Sequence, residues 1–202
     1  MSSEFIFSII ILIFSTVVHE VSHGYVAYLQ GDNTAKHAGR LTLNPLKHLE
    51  WFGSFLLPVM SYFLGGFIIG WAKPVPFNPY NLRNQRWGEA LVALAGPGSN
   101  LLIALVLGLL IRFGVFPSLQ GAFALIVFIN LILATFNLVP VPPLDGSKIL
   151  FSILPNNLLQ IREFLERNST FILIFFVFFL WQFILPLVFW EFHLITGFVL
   201  PA

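Results

Sequence analysis

Long apolar segments separated by short polar stretches dominate the chain. A helix needs about 20 residues to cross the roughly 30 Å hydrocarbon core of a bilayer. Four segments have about this length, and they occupy residues 5–29, 89–113, 122–139 and 171–190. The pattern therefore predicts an all-α polytopic membrane protein with about four transmembrane helices.

A fifth apolar segment, residues 51–70, is interrupted by Pro58 and by a pair of glycines. Lys and Arg favour the cytoplasmic side of a membrane. If the N-terminus lies outside and 51–70 does not cross fully, all ten basic residues except Arg112 lie inside. We therefore predict a re-entrant or shallow segment at 51–70, with an ordinary fifth span as the alternative.

The composition agrees with a membrane protein and excludes several classes of site. Hydrophobic residues make up 57% of the chain and charged residues 9%, against about 25% charged in soluble domains. A net charge of +1 gives no indication of a nucleic-acid partner, and the absence of cysteine excludes disulfides and thiolate metal sites. We expect one transmembrane domain over 1–202, with no cleaved signal peptide because a basic n-region is missing.

The first span carries three ionisable residues, His19, Glu20 and His23, in the sequence HEVSH. Such groups are costly in hydrocarbon, so a functional role is the default interpretation. His19 and His23 are four residues apart and share a helix face, where their imidazoles can converge on one metal ion. The H-E-x-x-H pattern typically supplies two zinc ligands and a carboxylate that deprotonates the bound water. Burial for helix packing is the alternative.

A catalytic zinc usually has three protein ligands and a water. Without cysteine, the third ligand must be a His or a carboxylate. His37 and His48 fit by type but lie in polar loops and are interpreted as solvated, and His193 lies past the last predicted span. Asp145 directly follows the third span in VPPLDG, where its alternative role is a helix N-cap.

Topology favours Asp145 as the third ligand. His19 lies about 20 Å along the first span from Phe5, near the predicted cytoplasmic end. Asp145 can reach the same face only if the chain between them crosses the bilayer an even number of times. The distribution of basic residues indicates two crossings, independently of any metal.

These motifs together resemble the site-2 protease family, which consists of intramembrane zinc metalloproteases. HEVSH in a span is followed by NLVP at 137–140 and LDG at 144–146. AGPGSN at 95–100 is similar to the family's Gly-x-x-x-Asn element, and GWAKPVPFNPYNLR at 70–83 is similar to a segment of its compact prokaryotic branch. The resemblance covers about 5–154, which would be the core, with 171–190 as an additional helix. No PDZ or CBS domain is recognised.

The resemblance implies roles for the matching residues. His19, His23 and Asp145 would bind one Zn²⁺, and Glu20 would act as the general base and then as the acid. Asn137 would stabilise the oxyanion, since its amide can donate a hydrogen bond to a developing negative charge.

Three further residues near the site are expected to be structural. Gly96 and Gly146 are small enough for close packing or a turn, and Asn100 can form a hydrogen bond across helices. The alternative for Asn137 is likewise structural, as the last residue of a helix before Pro140.

The function implied is that of a zinc-dependent endopeptidase that cleaves in or near transmembrane segments, as in regulated intramembrane proteolysis. The expected partners are the bilayer and a membrane protein whose transmembrane helix can unwind. GRLTLNP and AKPVPFNP could form an edge strand that holds the unwound peptide by β-addition, or could be plain connecting loops. We expect a prokaryotic cell membrane and an active site nearer its cytoplasmic side.

Two other functions remain open at this point. A metal transporter would also place His and Asp at membrane depth, but it usually distributes ligands along a pathway and often has inverted repeats. The chain shows one cluster and no internal repeat. An inactive protease-like scaffold is the other alternative, although Glu20 and all three presumed ligands are present.

Overall fold

The computed structural model describes residues 3–65, 73–155 and 158–198. These residues are mainly helical, as the apolar pattern predicts, and no β-strand occurs within the described ranges. Of the candidate strands at 39–45 and 72–79, residue 72 lies outside the described residues. The rest of both segments is irregular backbone with short helical turns nearby. Their Pro and Asn residues explain this, because they favour turns and interrupt the regular hydrogen bonding of a sheet.

Two compact units divide the chain, Met1–Gly88 and Glu89–Ala202. In the first unit, a long helix is followed by short helical pieces. The helices are α1 (Ser3–Leu29), α2 (Thr34–His37) and α3 (Leu57–Gly65), with a π-helical turn at Trp51–Leu56 and 3₁₀ turns at Pro45–Lys47 and Pro79–Asn81.

The second unit contains the remaining long helices, the first of which starts at the boundary residue. Its helices are α4 (Gly88–Arg112), α5 (Gln120–Asn137), α6 (Asp145–Ile153), α7 (Leu159–Arg167), α8 (Ser169–Phe175) and α9 (Trp181–Thr196). A π-helical stretch, Phe176–Leu180, joins α8 to α9, and a 3₁₀ turn at Pro117–Leu119 precedes α5.

Among the described residues, four helical segments are long and apolar enough to cross a membrane. They are Phe5–Leu29, Gly88–Arg112, Pro117–Asn137 and Ser169–Thr196. This confirms the four predicted spans, although the last continues to Thr196 instead of ending at residue 190. Residues 51–65 are helical but are not among these spans, and 66–70 lie outside the described residues. Re-entry of 51–70 therefore stays a prediction.

The core of the second unit joins α4, α5 and α9 through small and branched side chains. Its fully buried members are Ala104, Ile111, Val127, Leu131, Val188 and Phe192. Asn100 on α4 donates from Nδ2 to Oδ1 of Asn130 on α5 over 2.8 Å, and Asn130 donates to the carbonyl of Ile126. Both side chains are fully buried. Because hydrocarbon offers no other partner, this cross-helix bond fixes the register of the two helices.

Residues 73–83 of the first unit, which include the 3₁₀ turn Pro79–Asn81, lie against α1, and we call this segment the strap. The backbone N–H of Lys73 donates to the carbonyl of His48 over 2.8 Å. At the other end, the N–H of Arg83 donates to the carbonyl of Gln30 over 2.9 Å. Both ends of the strap are therefore held by backbone hydrogen bonds to other parts of the same unit.

Asp32, in the turn after α1, is the main side-chain anchor of the strap. This fully buried carboxylate accepts from the N–H of Asn78 over 2.7 Å and from Nδ2 of Asn81 over 2.8 Å. It also accepts from the backbone N–H and the hydroxyl of Thr34, which opens α2. One carboxylate thus joins the end of α1, the start of α2 and the strap.

Acidification is expected to weaken this anchor. Burial raises the pKa of Asp32, but hydrogen bonds from Thr34, Asn81 and Asn78 outweigh it and hold the pKa below its ordinary value of 3.8. The stabilisation is therefore fully present above about pH 4, where the unfolded carboxyl is ionised, and is lost as pH falls through the folded pKa. Thermal unfolding in detergent, followed by circular dichroism from about pH 5 to about pH 3, measures this loss.

The variant Asp32→Asn isolates the contribution of the carboxylate. It replaces one acceptor oxygen by an amide group that cannot accept, and we expect a loss of about 1.5–3 kcal/mol in unfolding free energy at neutral pH. The variant should also be less sensitive to acid than the wild type. Equal acid sensitivity in the two proteins would contradict the role given to Asp32.

Candidate active site

His19 and His23 lie together on one face of α1. Both are buried, and their rings are nearly perpendicular, with centroids 4.6 Å apart. Each offers a ring nitrogen as a ligand atom, and these two nitrogens lie within 4.8 Å of each other. Two imidazoles bound to one tetrahedral zinc have nitrogens about 3.4 Å apart, which lies within this limit of 4.8 Å.

Two hydroxyl groups in this part of α1 form hydrogen bonds to the backbone of the helix itself. The hydroxyl of Thr16 donates to the carbonyl of Leu12, and that of Ser22 donates to the carbonyl of Val18, each over 2.7 Å. Hydroxyls that bond back to the preceding turn remove the cost of a polar group in an apolar span.

Glu20 has a specific partner in the strap. Its Oε2 accepts a hydrogen bond from the backbone N–H of Val75 over 2.8 Å. Val75 is buried, and it lies between Pro74 and Pro76, neither of which has an N–H. The N–H of Val75 is therefore the only backbone donor in this tripeptide, and it is directed to the carboxylate of the H-E-x-x-H motif.

Gly24, directly after His23, allows the strap to approach α1. A Cβ at this position would lie 2.6 Å from Cγ1 of Val75, 2.8 Å from Cδ2 of Leu41 and 3.2 Å from Cβ of Ala35. These distances are shorter than normal carbon–carbon contacts of about 3.5–4.0 Å. The absence of a side chain at Gly24 is thus required for the packing that brings Val75 to Glu20.

Asp145 lies in the second unit, as the first residue of α6. It is buried, and Leu144 occupies the N-cap position, so Asp145 is not the N-cap that the sequence alternative suggested. Nζ of Lys148 lies 3.7 Å from its Oδ1. A carboxylate in the first turn is also favoured by the partial positive charge of the helix N-terminus.

Gly146 determines how α6 begins. A Cβ at this position would collide with the backbone carbonyls of Leu138 and Val139, which follow α5. The start of α6 and the end of α5 therefore approach each other through a residue without a side chain. This contact fixes the backbone next to Asp145.

Replacing Gly146 by Ala is expected to be severely disruptive. The new methyl group meets backbone carbonyls, which cannot rotate away as a flexible side chain can, and overpacking of this kind costs about 1–3 kcal/mol or more. Gly98→Ala is the matched control, because a Cβ at Gly98 has no atom within 4 Å among the described residues. Thermal unfolding in detergent measures the stability of both variants. Equal stability of Gly146→Ala and Gly98→Ala would contradict the tight approach at Gly146.

Asn137 is the last residue of α5 and is half-buried. Its Nδ2 donates to the carbonyl of Leu133 over 2.9 Å. An amide nitrogen carries two hydrogens, so this bond is compatible with a second donation. The bond also limits the rotation of the side chain at the end of the helix.

A cavity of about 250 Å³ lies beside the end of α5, in the second unit. Its lining residues are Leu101, Thr135, Leu138, Val139, Ile184, Leu187 and Glu191. The hydroxyl of Thr135 donates to Oε2 of Glu191 over 2.9 Å, which joins α5 to α9. Sequence reasoning missed Glu191 because it ended the last span at residue 190, one residue too early to include a carboxyl group.

Comparison with known proteins gives the family. Residues 7–119 and 115–180 match the model of peptidase family M50. These two matches cover most of the chain. The chain belongs to peptidase family M50, the site-2 protease family.

Three bacterial relatives agree with the M50 assignment. A Bacillus subtilis protein named as a zinc metalloprotease, YwhC, is 41% identical over 157 residues, which are 73% of this chain and 68% of YwhC. The similarly named Rip2 of Mycolicibacterium smegmatis is 36% identical over 138 residues, and that of Mycobacterium tuberculosis strain H37Rv is 33% identical over 135. Each of these alignments covers 65% of this chain and 51% of Rip2. No solved structure matches the chain.

The M50 assignment establishes a zinc metalloprotease that crosses the membrane several times. Zinc is its cofactor, as in other M50 proteases. The residues present fit this metal, because two imidazoles and a carboxylate are a known catalytic zinc ligand set. His19 and His23, one turn apart on α1, supply the two imidazoles.

The other histidines have different surroundings. His37 and His193 are exposed, but the interpretation of His48 as a solvated loop residue is wrong. His48 is fully buried, with Nε2 2.8 Å from the carbonyl of Thr42. The polar sequence around it suggested exposure, whereas its own carbonyl and ring take part in holding the strap and the preceding loop. No periodic pattern marks such a residue in a sequence.

Proposed function

We propose that this M50 protein hydrolyses peptide bonds in or near the transmembrane segments of other membrane proteins, with zinc bound by His19, His23 and Asp145. The observation that carries the proposal is the buried His19–His23 pair, with Glu20 between them, in a helix apolar enough to cross a membrane. A hydrolytic centre on such a helix is positioned for substrates that are themselves in the bilayer.

Each residue has a distinct role in this hydrolysis. Zinc supplies Lewis acidity, which brings the pKa of a bound water towards neutrality. Glu20 accepts a proton from the attacking water as the water oxygen forms a bond to the peptide carbon. Asn137 donates a hydrogen bond to the carbonyl oxygen as negative charge develops there. Glu20 then passes the proton to the amide nitrogen as the C–N bond breaks, which leaves a carboxylic acid and an amine.

The proposed substrate is a membrane protein with a transmembrane helix that can unwind. A helix satisfies its backbone groups internally, so its peptide bonds become accessible only after local unwinding. The proposed site lies in the cell membrane of a prokaryote, nearer the cytoplasmic side. The charge distribution supports this orientation, because it places most of the basic loops inside.

Purified protein and a transmembrane substrate, reconstituted in liposomes, test this function. We expect cleavage within or next to the substrate's span, loss of cleavage after treatment with a zinc chelator, and recovery on addition of Zn²⁺. Zinc flux into the liposomes without cleavage would favour a transporter. A zinc-loaded protein that shows neither cleavage nor zinc flux would favour an inactive scaffold.

A further inference from the structure

We propose that the backbone N–H of Val75 positions Glu20 for proton transfer, so that the strap contributes directly to catalysis. This inference rests on the proposed function, because it concerns the same carboxylate. The interaction that carries it is the 2.8 Å hydrogen bond from the N–H of Val75 to Oε2 of Glu20. Val75 is a positioning residue in this scheme, since it acts on the reaction through Glu20.

The hydrogen bond holds one of the two carboxylate oxygens. A Glu side chain has three rotatable bonds, and its rotamer freedom opposes any single orientation. A charge-assisted bond from a fixed backbone donor reduces this freedom. With Oε2 held by the strap, Oε1 remains as the oxygen for the proton. Misplacement of a reacting group by about 1 Å can cost roughly 100-fold in rate, so this restraint is kinetically important.

The donor itself is rigid. Pro74 and Pro76 restrict the backbone on either side of Val75. Hydrogen bonds of the strap to His48 and Asp32 occur two residues before and three residues after Val75, at Lys73 and Asn78. The N–H of Val75 is therefore presented from a segment fixed on both sides.

The side chain of Val75 packs the strap against α1. It is buried, and its Cγ1 occupies the space that a Cβ on Gly24 would need. Gly24 is one turn beyond Glu20 on the same helix. The missing side chain at Gly24 therefore allows the strap to lie close enough for the backbone bond to Glu20.

Substitutions at Val75 separate the N–H from the side chain. Val75→Pro removes the donor but retains an apolar side chain, and we expect kcat to fall about 10–100-fold with KM and zinc content unchanged. Val75→Ala is the conservative variant that keeps the N–H, and we expect it to recover most of this loss. Equal kcat in Val75→Pro and the wild type would overturn the proposal, as would an equal loss in both variants.

Gly24→Ala tests the same contact without changing the amino-acid sequence of the strap. The added methyl pushes against Val75, so we expect the kcat of Gly24→Ala to fall in the same direction as that of Val75→Pro, with zinc retained. Gly98→Ala, in a position with open space, is the control for a Gly-to-Ala change in a spanning helix. A kcat in Gly24→Ala equal to that of Gly98→Ala would count against the proposal.

A double-mutant cycle that combines Val75→Pro with Glu20→Asp shows whether Val75 acts through Glu20. The shorter side chain withdraws the carboxylate from the strap, so Val75→Pro should have little further effect on kcat in this background. A full additional 10–100-fold loss there would overturn the proposal and indicate general damage to the fold. Absence of cleavage by the wild type would instead contradict the proposed function, which keeps the two failures distinguishable.

Discussion

Replacing Glu20 by Gln is expected to abolish cleavage while zinc stays bound. The amide is nearly isosteric with the carboxylate but cannot accept the proton of the attacking water. General acid–base catalysis contributes typically about 10²–10⁴-fold to a rate, so the turnover number should fall by at least this factor. Cleavage of a reconstituted transmembrane substrate and zinc content by elemental analysis measure the two effects on the same preparation.

The zinc content gives the Glu20→Gln experiment its control. His19 and His23 are unchanged, so the metal stoichiometry should equal that of the wild type. Unchanged cleavage in Glu20→Gln would falsify the role of Glu20. A variant that retains zinc and binds substrate without cleaving it would also be suitable for trapping the natural substrate for identification by mass spectrometry.

Replacing Asp145 by Ala is expected to remove both zinc and activity. Asp145 is the proposed carboxylate ligand, and the remaining His pair is an incomplete set for a catalytic zinc. Substitution of residues that merely support a ligand costs about 10–100-fold in metal affinity, so loss of a ligand itself should cost more. Zinc affinity, measured by competition with a chelator, and cleavage should therefore fall together.

Lys148→Ala is the matched control for Asp145→Ala. It removes the ammonium group 3.7 Å from Oδ1 of Asp145 but leaves the carboxylate in place. We expect zinc stoichiometry and most of the activity to be retained, because the Lys148 side chain is partly exposed and pairing with such a group contributes about 0–1 kcal/mol. Wild-type zinc affinity in Asp145→Ala would show that the third ligand lies elsewhere.

The spans and the histidine pair could be predicted because each follows from a periodic rule. A bilayer requires about 20 apolar residues per helix, and the lengths of α1, α4 and α5 follow from this requirement. Helical periodicity places residues four apart on one face, and the structure has the rings of His19 and His23 4.6 Å apart between centroids. Neither inference needed information about distant parts of the chain.

The strap and its contacts could not be predicted, because backbone donors leave no signature in a sequence. Glu20 and Val75 are 55 residues apart, and the bond between them uses an N–H that almost every residue type has. Asp32 lies between Gly31 and Asn33, and this sequence pattern indicates only the end of a helix and a turn. Its role as an acceptor for the strap depends on the folded path of the chain, as does the burial of His48.

The spacing of the strap anchors has a consequence for sequence variation. Five positions along the chain separate Lys73, bonded to His48, from Asn78, bonded to Asp32. Each residue of an extended chain advances about 3.3–3.6 Å, which exceeds the tolerance of a hydrogen bond. An insertion or deletion between these anchors would shift the register of Val75 against Glu20. Active relatives should therefore differ in residue type here while they keep the same loop length.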